Sequence, residues 1–351
     1  MTTVISIDAM SGDKGPAPVL AGLERVAGKR GDLRFLLHGR PSALEPLLKR
    51  RQRLAALSEV RAADSVVPMD AQPSKAIRSH RDSSMWGALK AVADGEAGVA
   101  VSAGNTGALM AMAVLCLRKA PGVARPAIAV HWPAARPEGY NTVLDVGADV
   151  RADPHHLAQY ALMGAEYARV SLGAEHPRVG LLNLGTEPTK GPPELREAAA
   201  LIEAAAASGE RFAYTGFVEG ADICRDRVEV IVTDGFTGNI ALKTAEGTAT
   251  LIRETLRQAF RATVLAQLSA LLAQGPLRRL SRRIDPRRVN GGVFLGLDGA
   301  VVKSHGGADA VGFAAAVGLA VRMAESDFPA HVARELARLH LSGPAPKGSA
   351  A

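Results

Sequence analysis

The chain has 351 residues, of which 47% are hydrophobic and only 4% aromatic, and it carries a formal net charge of +7. That length can bury a large core, and the scarcity of aromatic residues argues against a base-stacking surface for nucleic acid. The two cysteines, Cys116 and Cys224, show no metal-ligand spacing and predict a reduced, cytosolic protein.

The opening Met1-Thr2-Thr3-Val4-Ile5-Ser6-Ile7 enters a strand directly, which predicts no signal peptide. No uncharged apolar run reaches the roughly 18 residues that a membrane span needs. In chain order, strands are predicted at Val4–Ile7, Arg34–His38, Gly98–Ser102, Ala127–His131, Asn141–Val146, Arg178–Leu184, Phe212–Thr215 and Val228–Thr233. Helices are predicted at Ala17–Ala27, Ala43–Leu57, Ser83–Ala93, Pro154–Leu172, Glu194–Ala207 and Ala308–Glu325. This alternation predicts a three-layer α/β/α fold on a mainly parallel sheet, with ligands beyond the carboxyl ends of the strands. No linker divides the chain, so residues 1–342 are expected to form one catalytic domain with possible lobes. The small, polar residues 343–351 are expected to be a disordered tail.

One pattern occurs twice. Val99-Ala100-Val101-Ser102 runs into Ala103-Gly104-Asn105-Thr106-Gly107 and an apolar stretch; Val230-Ile231-Val232-Thr233 runs into Asp234-Gly235-Phe236-Thr237-Gly238-Asn239 and another. Each reads as strand, Gly-x-Thr-Gly turn and helix start. Glycines let backbone approach a ligand closely, and the free N–H groups of a helix start attract anions. The pair predicts a phosphate or oxyanion site at one sheet edge, using Gly104, Asn105, Thr106, Gly107, Asp234, Gly235, Thr237, Gly238 and Asn239.

Other polar groups fall at predicted strand ends: Asp8 and Asp13, Asp145 and Asp149, Lys190 in a Gly/Pro-rich loop, and Lys303-Ser304-His305. Asp8, Asp13 and Asn239 also suit plain capping, Lys190 a solvated surface and His305 a structural donor. Lys303 follows Val301-Val302, where an unpaired buried lysine is costly, and that favours function. No G-x-G-x-x-G follows a strand, no P-loop spacing is met and no G-x-S-x-G elbow is present. No metal or cofactor is therefore predicted, and the inventory suits a transfer in which an external anion attacks and the protein positions it.

With these segments identified, the chain resembles the PlsX-type phosphate acyltransferases over nearly its whole length. The matching blocks are Ile7-Asp8-Ala9-Met10 with Gly12-Asp13, Ser102 to Met110, Leu144-Asp145-Val146-Gly147-Ala148, Asn183-Leu184-Gly185-Thr186-Glu187, Lys190-Gly191, Asp234 to Asn239 and Val302-Lys303-Ser304-His305-Gly306. Ser11, Lys14, Asp149, Phe217 and Ala221 depart from the usual pattern. The resemblance implies conversion of acyl-acyl carrier protein and inorganic phosphate into acyl phosphate and free carrier protein, feeding glycerol-3-phosphate acylation by a membrane enzyme. It also implies a homodimer and a fold similar to phosphotransacetylases and isocitrate-dehydrogenase-like enzymes. Lys190, Asn239, Lys303 and His305 are the expected catalytic groups, and Asp8 joins the two turns in binding substrate. A phosphotransacetylase acting on acyl-coenzyme A and a non-catalytic anion-binding scaffold are the alternatives.

Between Leu251 and Asn290 nine arginines face two acids, so this segment alone matches the net charge of +7. Ile252, Leu256, Phe260, Val264, Leu268 and Leu272 recur every four residues beside Arg253, Arg257 and Arg261. This stripe suits a dimer interface or core. Arg278, Arg279, Arg282 and Arg283 then predict a surface for anionic lipid headgroups at the inner face of the membrane, or for acidic carrier protein.

Overall fold

A computed structural model describes residues 2–209, 211–277 and 291–338. The strands are β1 (Thr3–Asp8), β2 (Leu33–Gly39), β3 (Ser58–Ala62), β4 (Val99–Ser102), β5 (Ala127–Pro133), β6 (Tyr140–Leu144), β7 (Arg178–Leu182), β8 (Ala213–Val218), β9 (Val230–Val232), β10 (Gly292–Leu295) and β11 (Ala300–Lys303). They form one sheet in the order β3-β2-β1-β4-β11-β10-β5-β6-β9-β7-β8. The helices, in chain order, are α1 (Pro16–Ala27), α2 (Pro41–Lys49), α3 (Gln52–Ala56), α4 (Pro73–Ser79), α5 (Ser84–Ala93), α6 (Thr106–Leu117), α7 (Pro154–Leu172), α8 (Pro193–Gly209), α9 (Gly235–Arg261), α10 (Val264–Leu272), α11 (Ala310–Glu325) and α12 (Phe328–Arg338).

Alternation along the strands divides the core between two faces. Ile5, Ile7, Val99, Val101, Val230 and Val232 pack with residues of α1, α7, α8 and α11. Ala100, Ile231, Val301 and Phe294 pack on the other face with α4, α5 and α6, joined by Ala241, Leu242 and Ala245 of α9. Each such fully buried Val, Ile or Leu contributes about 1.5–3 kcal/mol of transfer free energy. This is the α/β/α layering expected from the sequence.

Several boundaries differ from the sequence expectation. The helix expected over Ala43–Leu57 is two helices, α2 and α3, separated at Arg50-Arg51. Strand β3, helix α4 and strand β10 were not anticipated. α11 begins at Ala310 because the Asp309 side chain accepts from the N–H groups of Val311 and Gly312. From Leu251 onward, α9 and α10 leave their apolar stripe exposed: Leu251, Ile252, Leu256, Val264, Leu265, Leu268 and Leu272 all face solvent. Arg278, Arg279, Arg282, Arg283 and the tail 343–351 lie outside the described residues.

Candidate active site

At the carboxyl ends of β2, β1, β4 and β11, four polar side chains stand in a row. Asp8 is in register with His38 and Lys303 with Ser102, and parallel partners in register project to the same face. The Ser102 hydroxyl donates to Asp8 Oδ2 at 2.6 Å and accepts from the Gly104 N–H at 3.0 Å. Ser102 also accepts at its carbonyl from the Ser304 N–H at 2.8 Å. Asp8, Ser102 and His38 are buried, and burial, with Arg61 nearby, lowers the His38 pKa to about 4, so its ring is neutral at pH 7. Burial likewise pushes the Lys303 ammonium down to about 8, against the opposing charges of Asp8 and Asp13 and with help from Lys243. Its Nζ donates to the Ser304 carbonyl.

Turns knit this edge together. The Asp13 N–H donates to the Gly306 carbonyl at 3.0 Å. Gly12 allows that approach: its φ is +106°, and a β-carbon there would sit 3.1 Å from the Gly306 oxygen. His305 accepts at Nδ1 from the Gly307 N–H at 3.1 Å. Thr106 and Gly107 open α6 at the surface. Asn105 acts as its cap: Oδ1 accepts from the Ala108 N–H at 2.8 Å, while Nδ2 donates to the carbonyls of Met69 at 2.6 Å and Ala71 at 3.3 Å. The Asn105 side chain therefore fastens the 69–71 loop as well as the helix start.

A second group gathers at the carboxyl ends of β6, β9 and β7. Buried Asp145 accepts from the N–H groups of Ile128 at 2.8 Å, Gly147 at 3.1 Å, Ala148 at 2.9 Å and Asp149 at 2.6 Å. Burial raises its pKa and these backbone donors oppose the rise. The start of α9 is seated on this turn. Gly235 N–H donates to the Asp149 carbonyl at 2.8 Å, and Asn239 Nδ2 donates to the Val146 carbonyl at 3.0 Å. Asp234 caps the helix, accepting from the Thr237 N–H at 2.9 Å and hydroxyl at 2.8 Å, and the Gly238 N–H reaches the Asp234 carbonyl at 3.0 Å. Three N–H groups that the sequence assigned to an anion are thus bonded within the chain. Nearby, Asn183 Nδ2 donates to the Lys190 carbonyl at 3.1 Å, and exposed Lys190 lies 3.7 Å from Glu187.

The fold corrects the expectation that both Gly-x-Thr-Gly turns share one sheet edge. Between β4 and β9 the antiparallel steps are β11–β10, β10–β5 and β5–β6, so β4 and β9 run in opposite senses. The turns leave opposite ends of the sheet. α9 nonetheless reaches from the second edge toward the first, since its Lys243 lies within electrostatic range of Lys303.

Comparison with known proteins places this geometry. Residues 3–331 match the sequence model of a family described as fatty acid synthesis protein. The chain belongs to that family. Phosphate acyltransferase from Jannaschia sp. (strain CCS1) is 57% identical over 336 residues, covering 96% of this chain and 92% of the relative. Phosphate acyltransferase from Paracoccus denitrificans (strain Pd 1222) is 57% identical over 335 residues, covering 95% of this chain and 90% of the relative. In fold, the chain is similar to a phosphotransacetylase from Streptococcus pyogenes, with TM-score 0.63 at 14% identity over 92% of this chain and 94% of that one. EutD phosphotransacetylase from Staphylococcus aureus gives TM-score 0.58 at 14% identity, with the same coverage of 92% and 94%.

Within this fatty acid synthesis family member, the structure joins Asp8, Gly104, Asn105, Thr106, Gly107, Lys303 and His305 at one edge. It joins Asp234, Gly235, Thr237, Gly238, Asn239 and Lys190 at the other. Two residues escaped the sequence reading. Ser102 was legible only as the polar end of the run Val99-Ala100-Val101. Lys243 stands four residues after Asn239, one turn along the same helix face.

Proposed function

We propose that this chain transfers an acyl group from the pantetheine thioester of acyl carrier protein to inorganic phosphate, giving acyl phosphate and free carrier protein. The protein is an acyltransferase of the fatty acid and phospholipid synthesis family. The observation that carries the specific reading is Lys303, a half-buried ammonium on the strand beside Ser102, in reach of the charges of Asp8 and Asp13. A cation kept in a desolvated place favours a dianion and a developing oxyanion. A phosphate oxygen attacks the thioester carbonyl carbon, the carbon–sulfur bond breaks, and the pantetheine sulfur leaves. Lys303 neutralises the tetrahedral oxyanion, while Lys190 and His305 assist phosphate from the two edges. Residues 1–342 act as one catalytic unit.

The test mixes protein, acyl-acyl carrier protein and phosphate and traps acyl phosphate with hydroxylamine. Phosphate-dependent product above a boiled control supports the reading; none would overturn it. Acyl-coenzyme A is the alternative donor. Rates from the two donors at two salt concentrations separate them, because capture of an acidic carrier protein is salt-sensitive.

The exposed apolar stripe of α9 and α10 is the proposed contact of a homodimer. Arg278, Arg279, Arg282 and Arg283 are the proposed contact with anionic lipid at the inner membrane face, or with carrier protein, next to the glycerol-3-phosphate acyltransferase that consumes acyl phosphate. No described helix is long and apolar enough to cross a membrane. Replacement of the four arginines by Gln is expected to weaken salt-reversible binding to anionic vesicles; unchanged binding would move that role elsewhere.

A further inference from the structure

Asp8 is completely buried, yet only one of its oxygens is satisfied. Oδ2 takes the Ser102 hydroxyl at 2.6 Å, whereas Oδ1 is buried with no hydrogen-bond partner among the described residues. An unmet buried acceptor is costly, more so when charged, and native proteins keep such groups rarely. Its charge is felt at Lys303, so the carboxylate lies on the side of the row where the ammonium is. Ser102 fixes this arrangement through three bonds: to Asp8, to the Gly104 N–H that begins the turn into α6, and to the Ser304 N–H beside Lys303.

We propose that Ser102 is a positioning residue for acyl transfer: its hydroxyl holds Asp8 so that Oδ1 receives the proton of hydrogen phosphate. The chemistry balances. A phosphate oxygen bonds to the acyl carbon and the carbon–sulfur bond breaks. The P–OH proton passes to Asp8 Oδ1 and from there to the departing sulfur, which leaves as a thiol. Asp8 ends ionised, as it began, and no further reactant is consumed. Ser102 touches neither phosphate nor thioester and acts only through the carboxylate.

This inference rests on the proposed acyl transfer, so the parent enzyme is assayed first; an inactive parent defeats that reading, whereas the variants address Ser102. The variants are Ser102→Ala, Ser102→Thr, Asp8→Asn and the double Ser102→Ala/Asp8→Asn, with kcat, phosphate KM and urea midpoint measured for each. Loss of general acid–base help in Asp8→Asn is expected to lower kcat by about 10²-fold or more. Ser102→Ala is expected to lower kcat by about tenfold or more with little change in phosphate KM, and Ser102→Thr to restore most of it. In the Asp8→Asn background, Ser102→Ala is expected to cost nothing further, the signature of a residue that works through its partner. Independent, multiplying losses would overturn the proposal, as would a Ser102→Ala enzyme with parental kcat. Should Ser102→Ala not fold, Ser102→Cys, similar in size but a weak donor, takes its place in the cycle with the same expected coupling.

Discussion

Gly238 passes so close to Asp145 that a β-carbon on it would collide with the Asp145 carbonyl oxygen. Gly235, three residues earlier, is also constrained, since a β-carbon there would sit 2.5 Å from Asp145 Oδ2 and 2.7 Å from the Asp149 carbonyl oxygen. The two glycines of the second turn thus let α9 rest directly on the 145–149 turn. Their role in the fold is close helix-to-turn packing.

Gly238→Ala is accordingly expected to destabilise the fold by about 1–3 kcal/mol, the usual cost of overpacking. Gly247, further along α9, has open space around it, and Gly247→Ala is expected to stabilise by about 0.4–1 kcal/mol. Urea unfolding of the two variants checks the contrast. Equal shifts would show that the close approach does not hold α9.

The ammonium of Lys303 gives a pH signature. With its pKa lowered to about 8 by burial, the charged form is lost as pH rises through that value, and kcat is expected to fall above it. Lys243→Gln removes a like charge that depresses Lys303, so the falling limb should move to higher pH. A limb that stays in place in Lys243→Gln would remove Lys243 from the site. Stability runs in the opposite sense: the unfolded lysine keeps its proton up to 10.5 while the folded one releases it near 8. The unfolded state binds more protons in that window, so this group adds stability as pH rises through it.

Asn105 is expected to be a structural residue first. Asn105→Ala loses the cap on Ala108 and both anchors of the 69–71 loop, at a cost of about 1 kcal/mol for the cap. Asn105→Asp keeps the cap but not the anchors, so it should recover only part of the lost urea midpoint. Full stability in the alanine variant would return Asn105 to the ligand-binding set.

The exposed stripe of α9 and α10 predicts the assembly. Leu256→Lys with Leu268→Lys places two charges on faces that are 42% and 54% exposed in the single chain. By sedimentation the parent should run near twice the chain mass and the variant near 36.5 kDa. A variant that sediments with the parent would move the interface elsewhere.

Much of this protein was legible before its fold. Strand–helix alternation yields the layers because a buried parallel sheet demands apolar runs between amphipathic helices, as at Thr3–Asp8 and Pro16–Ala27. Lys303 stood out because a lysine after two valines must be either expensive or useful. The sequence also placed both Gly-x-Thr-Gly turns at strand ends, since turn chemistry is local. What only the tertiary structure decided is direction and company. Strand order sends β4 and β9 opposite ways, and the path of α9 brings Lys243 toward Lys303. Strand pairing is set by contacts between residues far apart in the chain, which no local pattern encodes. For the same reason Asn105 could not be known as an anchor for the 69–71 loop, nor Ser102 as the partner of Asp8: each bond joins segments that meet only when the sheet has formed.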